Sequence, residues 1–383
     1  MSPMPDSSTV ITLLPWLLPL PALIALCTSL FNLVFWPRGQ RTTTTTTTTT
    51  TNRPAISVCI PARNEQATID ACVRAALALD VDEVIVIDDG SSDDTPAILA
   101  AIVATDVRLR VVRLDAALPA GWVGKVRACW LASSLAHGEH LLFIDADVVV
   151  AADAVERFLH LQRTYRADAI TAVPRQITVT FVERLILPLL HLTYTSWLPL
   201  PLIWRTHNPR FLAANGQLLW LRRDALLDVG GFPAVRGEIV DDMALCRAFK
   251  LKRHRVLFVD GDLLGSCRMY RSAQAVIDGF SKNLYEGLGS VVGLVGVVGW
   301  YLWAFVAPWA LLAVFPVPAA VGVGAALVLR LVHVWRHHSG IGSALLNPIG
   351  VLVLMAIAVR SWRWSARGAI SWAGRTYAAR AAR

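Results

Sequence analysis

Residues 10–36 (VITLLPWLLPLPALIALCTSLFNLVFW) run for 27 positions without a charged side chain. A helix of about 20 apolar residues already spans the hydrocarbon core of a bilayer. No other feature constrains the chain so strongly, because the surface of a water-soluble domain cannot absorb such a stretch. Asp6 precedes it, and Arg38 and Arg41 follow it. A secretory signal would begin with a basic stretch and end at a small-residue cleavage site, and neither is present. Residues 1–41 therefore read as an uncleaved anchor, and the positive C-terminal flank puts the chain that follows in the cytoplasm.

Ten consecutive threonines, 42–51, hold nothing apolar to bury and mark a linker. Apolar runs return at 291–315, 318–334 and 344–360, before a tail, 361–383, rich in arginine. These runs account for a composition that is 55% hydrophobic and only 17% charged. They also explain the formal net charge of +8: six arginines and no acid lie in 360–383, whereas residues 52–290 sum to −1. A nucleic-acid reader needs its basic residues on the folded surface, so this distribution excludes that partner and points to membrane. Three crossings after the anchor would leave the tail outside, while its arginines favour the cytoplasm, so the span count stays open. The six cysteines form no CxxC pair and fit neither a zinc nor a disulfide framework. His191, His207, His337 and His338 have no partner at ligand spacing and read as structural or interfacial.

Residues 52–290 carry short β-branched runs at 56–60, 83–88, 108–114, 140–145 and 168–173, separated by segments long enough for crossover helices. That alternation predicts an α/β fold, doubly wound around a mainly parallel sheet covered on both faces. The segment 181–204 is long enough to cross a membrane, yet it contains Glu183, Arg184, His191 and three prolines. A crossing there would separate the acids before it from those near 241, so it is expected to lie in the interface.

Three acidic constellations stand out. Asp88-Asp89-Gly90-Ser91-Ser92-Asp93-Asp94-Thr95 follows the strand EVIVI, at the carboxyl edge where open α/β sheets bind ligands. Helix capping by Ser92 or Asp93 explains part of it but not the two acids in front. Asp145-Ala146-Asp147 ends the strand LLFI, and carboxylates at i and i+2 can share a divalent cation with a diphosphate. Glu238, Asp241 and Asp242 precede and open a helix, with three acids in five residues exceeding what capping needs.

In order and approximate spacing, SVCIPARN (57–64) with Glu65, the DDGSSDDT loop, DAD (145–147), NGQ (215–217), GGF (230–232) and VDD (240–242) resemble the inverting family 2 glycosyltransferases of GT-A fold. The segments GWVGK (121–125) and RMYRS (268–272), the latter running into GFSKN (279–283), resemble the membrane-associated branch containing hopanoid-associated and carotenoid glycosyltransferases. The resemblance implies that Pro61, Ala62, Glu65, Asp88 and Asp89 contact the donor nucleotide. It implies that Asp145 and Asp147 hold Mg²⁺ or Mn²⁺ on the diphosphate, and that Asp242 is the catalytic base beside Asp241. Lys125, Arg268 and Arg271 become candidate donor contacts. Processive synthases of the family carry (Q/R)xxRW, whereas Ser272 stands here in place of the tryptophan, which favours single transfer.

The expected protein is a plasma-membrane, multi-pass glycosyltransferase with a cytoplasmic catalytic domain. It would move a sugar from a nucleotide-sugar donor to a lipid or polyprenoid acceptor. A polysaccharide or polyprenyl-phosphate glycosyl synthase is the alternative, and a non-catalytic membrane scaffold a remote one.

Overall fold

The computed structural model describes residues 13–40, 53–368, 370–372 and 375–377. The poly-threonine stretch and the extreme C-terminal arginines Arg380 and Arg383 lie outside the described residues.

Four strands and their crossover helices build the first half of one sheet. They are β1 (Ile56–Ala62), β2 (Glu83–Asp88), β3 (Leu109–Arg113) and β4 (His140–Ile144), all parallel. The continuous apolar runs of β1, β2 and β4 suit burial on both faces, and every residue of β4 is buried, whereas β3 (LRVVR) is partly exposed at the sheet edge. The second half contains β5 (Val148–Val150), β6 (Ala169–Gln176), β7 (Leu218–Arg222) and β8 (Val256–Cys267). The full order is β3-β2-β1-β4-β7-β6-β8-β5. β7 runs antiparallel between β4 and β6, and β5 runs antiparallel to β8 at the edge. The five runs read from the sequence form strands within three residues of their expected ends. β5, β7 and β8 were not anticipated, because nothing in their local pattern distinguishes them from loop or helix-flanking sequence.

One face of the sheet is covered by α1 (Ile69–Leu77), α2 (Thr95–Val103) and α3 (Ala154–Tyr165), centred on Phe158 stacked over Trp220 at 5.4 Å. The other face is covered by Gly124–Leu135 and Asp241–Leu251, with Cys129, Leu245 and Phe249 in its core. Each such fully buried large side chain contributes about 1.5–3 kcal/mol of apolar transfer.

A third core lies among the membrane-type helices and includes Leu189, Tyr270, Phe280, Tyr301 and Leu354. Leu14–Phe35, Pro316–His337 and Asn347–Ala366 are each long and apolar enough to cross a membrane. The expected run 291–315 is different. Its helix Val291–Phe305 meets Ala273–Leu288 at 114°. Gly289 in the left-handed region (φ 71°) stops the first helix, and the Ser290 hydroxyl accepts from Gly293 N to start the second.

Residues 181–204 form no long helix. They break into Phe181–Ile186, Pro188–Thr195 and Pro201–Arg205, the last two opening on prolines. Asn32 of the N-terminal helix ties this segment down by donating to Thr195 O and Leu198 O (2.7 Å each) and accepting from Leu200 N.

Candidate active site

The carboxyl ends of β1 and β2 carry two loops stitched to each other. Asn64, held at φ 55°, donates from its backbone to Ser91 Oγ (2.9 Å) and accepts from Ser92 N (2.8 Å). Glu65 N donates to Thr95 Oγ1 (2.8 Å), and Gln66 N donates to Asp93 (3.1 Å). The acids of this region thus divide. Asp88, buried, accepts from Ser91 N and lies 3.5 Å from Arg113, so it shapes the loop. Asp89, also buried, is ion-paired with Arg375 from the C-terminal segment. Pro61 and Ala62 sit at the end of β1 paired with Ile87 and Asp88. These four flank the main cavity and do not line it.

That cavity, about 1080 Å³, gathers the remaining candidates: Glu65, Lys125, Asp145, Asp147, Asp241, Asp242, Arg268 and Arg271 all line it. They come from five separate parts of the fold. Asp145 and Asp147 occupy the turn where the chain leaves β4 at mid-sheet and joins the edge as β5, with Val148 N donating to Asp145 O. Behind them β7 is anchored by Asp145 N donating to Gln217 O (3.1 Å), while the Gln217 amide donates to Cys267 Sγ. Gly216 packs closely against the site: an added Cβ would lie 3.3 Å from Asp242 Cβ and 3.4 Å from Lys125 Nζ, and both side chains would have to shift slightly.

Lys125 Nζ is 2.6 Å from Asp145 Oδ1. Burial opposes its charge, but Asp145 and Asp241 more than offset this and hold it well above the usual lysine range. Burial pushes the Asp242 carboxyl up to about 6, reinforced by the adjacent Asp241 carboxylate and opposed by Lys125. Asp147 is likewise raised to about 6 by burial and then by Asp145, and Glu65 to about 7 by burial with Asp147 and Asp145 behind it. Such crowding of acids in one cavity is the signature of a site that receives positive charge or moves protons.

The fit for a divalent cation rests on Asp147, whose Oδ1 is buried with no hydrogen-bond partner among the described residues. With Asp145 two positions away, the donor set is hard oxygen, which suits Mg²⁺ or Mn²⁺. Lys282 from Ala273–Leu288 also lines the cavity and interacts electrostatically with Lys125, Asp241 and Asp145. It was not among the residues expected from the sequence. Its only local signal is one cation in the stretch GFSKN of a helix whose other charged residues are Asp278 and Glu286.

The model of the family described as Glycosyl transferase family 2 matches residues 57–230, which contain β1 to β7 and the Asp145/Asp147 turn. Residues 57–230 form a glycosyl transferase family 2 domain. Over 346 residues it is 24% identical to the 4,4'-diaponeurosporenoate glycosyltransferase of Staphylococcus aureus (strain USA300), covering 85% of this chain and 89% of that one. Among solved structures it resembles the mannosyltransferase PcManGT of Pyrobaculum calidifontis, with a TM-score of 0.57 and 19% identity over 93% of this chain and 96% of that chain. That structure was determined with GDP-Man and Mn²⁺, and the likeness establishes the GT-A fold for this glycosyltransferase. At 85% of this chain, the match to the S. aureus relative extends beyond the residues of the catalytic sheet.

Proposed function

We propose that this glycosyltransferase moves a single sugar from a nucleotide-sugar donor to an oxygen of a lipid or polyprenoid acceptor, with inversion, at the cytoplasmic face of the plasma membrane. The observation that carries the reading is the composition of the main cavity. One limb is lined by Asp145, Asp147, Asp241, Asp242 and Lys125. The other continues between Ile24, Trp197, Leu288, Val297, Trp300 and Leu354, contributed by the membrane-type helices and the broken 181–204 segment. An acceptor that fills both limbs is an amphiphile with its nucleophile at the carboxylates and its apolar body among the helices.

The chemistry follows from the polar limb. Asp242, with its carboxyl near 6, accepts the proton of the acceptor hydroxyl at neutral pH. The acceptor oxygen then attacks the anomeric carbon, the bond from that carbon to the diphosphate oxygen breaks, and the nucleoside diphosphate departs from the opposite face. Asp145 and Asp147 would hold Mg²⁺ or Mn²⁺, which when bound neutralises charge on the leaving diphosphate. Lys125, Arg268 and Arg271 supply fixed cations toward the same phosphates. Glu65, raised to about 7, can offer a hydroxyl donor to the nucleotide. Pro61, Ala62, Asp88 and Asp89 would form the outer wall of the nucleotide pocket, with Asp89 oriented by Arg375. Ser272 supports single transfer: it is the N-cap of Ala273–Leu288, accepting from Ala275 N, where processive synthases carry an acceptor-binding tryptophan.

Crossings by Leu14–Phe35, Val291–Phe305 of the bent pair and Pro316–His337 reconcile the membrane signals, because Arg336 and His337 at the end of the last reach Asp260 and Asp262 of the catalytic sheet. An N-terminus outside then leaves both the catalytic sheet and the arginine tail inside, as the Arg375–Asp89 pair requires. Residues 181–204 and Asn347–Ala366 would lie at the interface and open the apolar limb to lipid.

The test is to incubate the purified full chain with Mn²⁺, a panel of labelled nucleotide sugars and total membrane lipid. Label should appear in organic extract, one sugar per lipid, and vanish when either lipid or divalent cation is withheld. Label found only in water-soluble polymer would overturn the reading.

A further inference from the structure

A second cavity, about 250 Å³, opens beside the end of β6 and is lined in part by Arg175, Gln176, Thr178, His191, His337 and Ser339. It shares no lining residue with the catalytic cavity. Two of its lining residues, His191 from Pro188–Thr195 and His337 at the end of the crossing helix Pro316–His337, meet Asp262 of β8 behind its wall. The two imidazole rings stack with centroids 3.6 Å apart. His337 Nδ1 lies 3.3 Å from Asp262 Oδ2, and one ligand atom from each of the three residues falls within 4.8 Å of the others.

These histidines have no partner at ligand spacing along the chain, because 146 positions separate them and Asp262 lies on the unanticipated strand β8. In the fold all three side chains are buried, and their remaining polar atoms are orphaned. His191 Nε2, His337 Nε2 and Asp262 Oδ1 have no hydrogen-bond partner among the described residues. Leaving three such atoms unsatisfied is costly, and stacked imidazole faces cannot satisfy one another. The nearby cations are largely accounted for elsewhere: Arg38 and Arg336 both pair with Asp260, at 3.3 and 2.6 Å, leaving Asp262 to the histidines.

We propose that His191, His337 and Asp262 bind Zn²⁺, with a fourth position facing the cavity and filled by water. Two imidazoles and one carboxylate form a borderline donor set that selects Zn²⁺ over the Mg²⁺ or Mn²⁺ suited to Asp145 and Asp147. The ion joins a membrane-crossing helix, the 181–204 segment and the catalytic sheet, so its role is to clamp the membrane bundle onto the domain it serves.

The experiment uses the full chain in detergent, stripped with chelator, reloaded with ZnCl₂ under excess Mg²⁺ and freed of unbound metal. Elemental analysis should find one Zn²⁺ per chain in the wild type and in an Asp145→Asn/Asp147→Asn variant. His191→Gln and Asp262→Asn should each retain at least about tenfold less. Zinc should raise the wild-type Tm by about 5 °C and leave that of Asp262→Asn unchanged. A wild type without zinc, or zinc undiminished in both single variants, overturns the proposal. Should the variants fail to fold, Co²⁺ added to the wild type decides. Intense tetrahedral d–d absorption supports the site, and only weak octahedral bands refute it.

Discussion

The two halves of the sheet are built on different plans. The β3-β2-β1-β4 half is all parallel, and its loops satisfy one another: Asn64, Glu65 and Gln66 bond to Ser91, Ser92, Asp93 and Thr95 without help from the membrane helices. The β7-β6-β8-β5 half is mixed and tied to those helices. Arg336 reaches Asp260 on β8, and Arg268 just beyond β8 reaches Glu183. The candidate catalytic carboxylates lie at and beyond the seam, since Asp145 directly follows β4 while Asp242 lies in the first turn of Asp241–Leu251, between β7 and β8. Under the proposed function the parallel half serves chiefly the nucleotide and the mixed half the lipid acceptor, so substitutions on either side should separate donor from acceptor effects.

The largest effect is expected from Asp242→Asn. Losing the base should lower the transfer rate about 10³-fold, while donor affinity, set by the other half, stays within about threefold. Quenched-flow transfer and calorimetric donor titration give the two numbers. A comparable loss in both would merge the halves into a single functional unit.

An intermediate effect belongs to the pair at the seam. Asp242 titrates near 6 because it is buried and, second, because Asp241 is beside it. The base must be ionised, so transfer should fall as pH drops through about 6. Asp241→Asn removes the like charge and should move that acid limb about one unit lower. The pH profile of kcat reads it directly, and a limb that stays in place would assign the titration to another group, Asp147 being the first candidate.

How much of this was legible in the sequence follows the same division. β2 and β4 with the DDGSSDDT and DAD turns could be read because each strand is a continuous apolar run followed at once by its acids. β7 and β8 could not. LLWLR and the long VLFVDGDLLGSC earn their places by pairing with β4 and β6, contacts whose partners lie 80 or so residues away in sequence. Asp88 and Asp89 show the limit of motif reading: adjacent in one loop, they are committed to different partners, Arg113 and Arg375, and neither faces the main cavity. Lys282 and the Asp262 cluster were hidden because their meaning depends entirely on which distant side chains they meet. The bend at Gly289 and Ser290 was equally invisible to hydropathy, which counts apolar residues and not helix caps.

The smallest effect tests the apolar limb itself. Trp300 lines it from Val291–Phe305, and its indole Nε1 is buried with no partner among the described residues. That nitrogen would donate to the polar end of an acceptor, while the ring supplies apolar area along its body. Trp300→Phe keeps most of the area and removes the donor, so the acceptor KM should rise about threefold. Trp300→Ala removes both, and a loss of about 1.4 kcal/mol corresponds to about a tenfold rise. Because the contact exists equally before and during transfer, kcat should not change, and the donor KM should stay fixed because the nucleotide half is untouched. Initial rates with donor and acceptor varied separately resolve the three constants. If donor KM rises alongside acceptor KM, Trp300 is bracing the nucleotide pocket and the apolar limb is not a separate acceptor site.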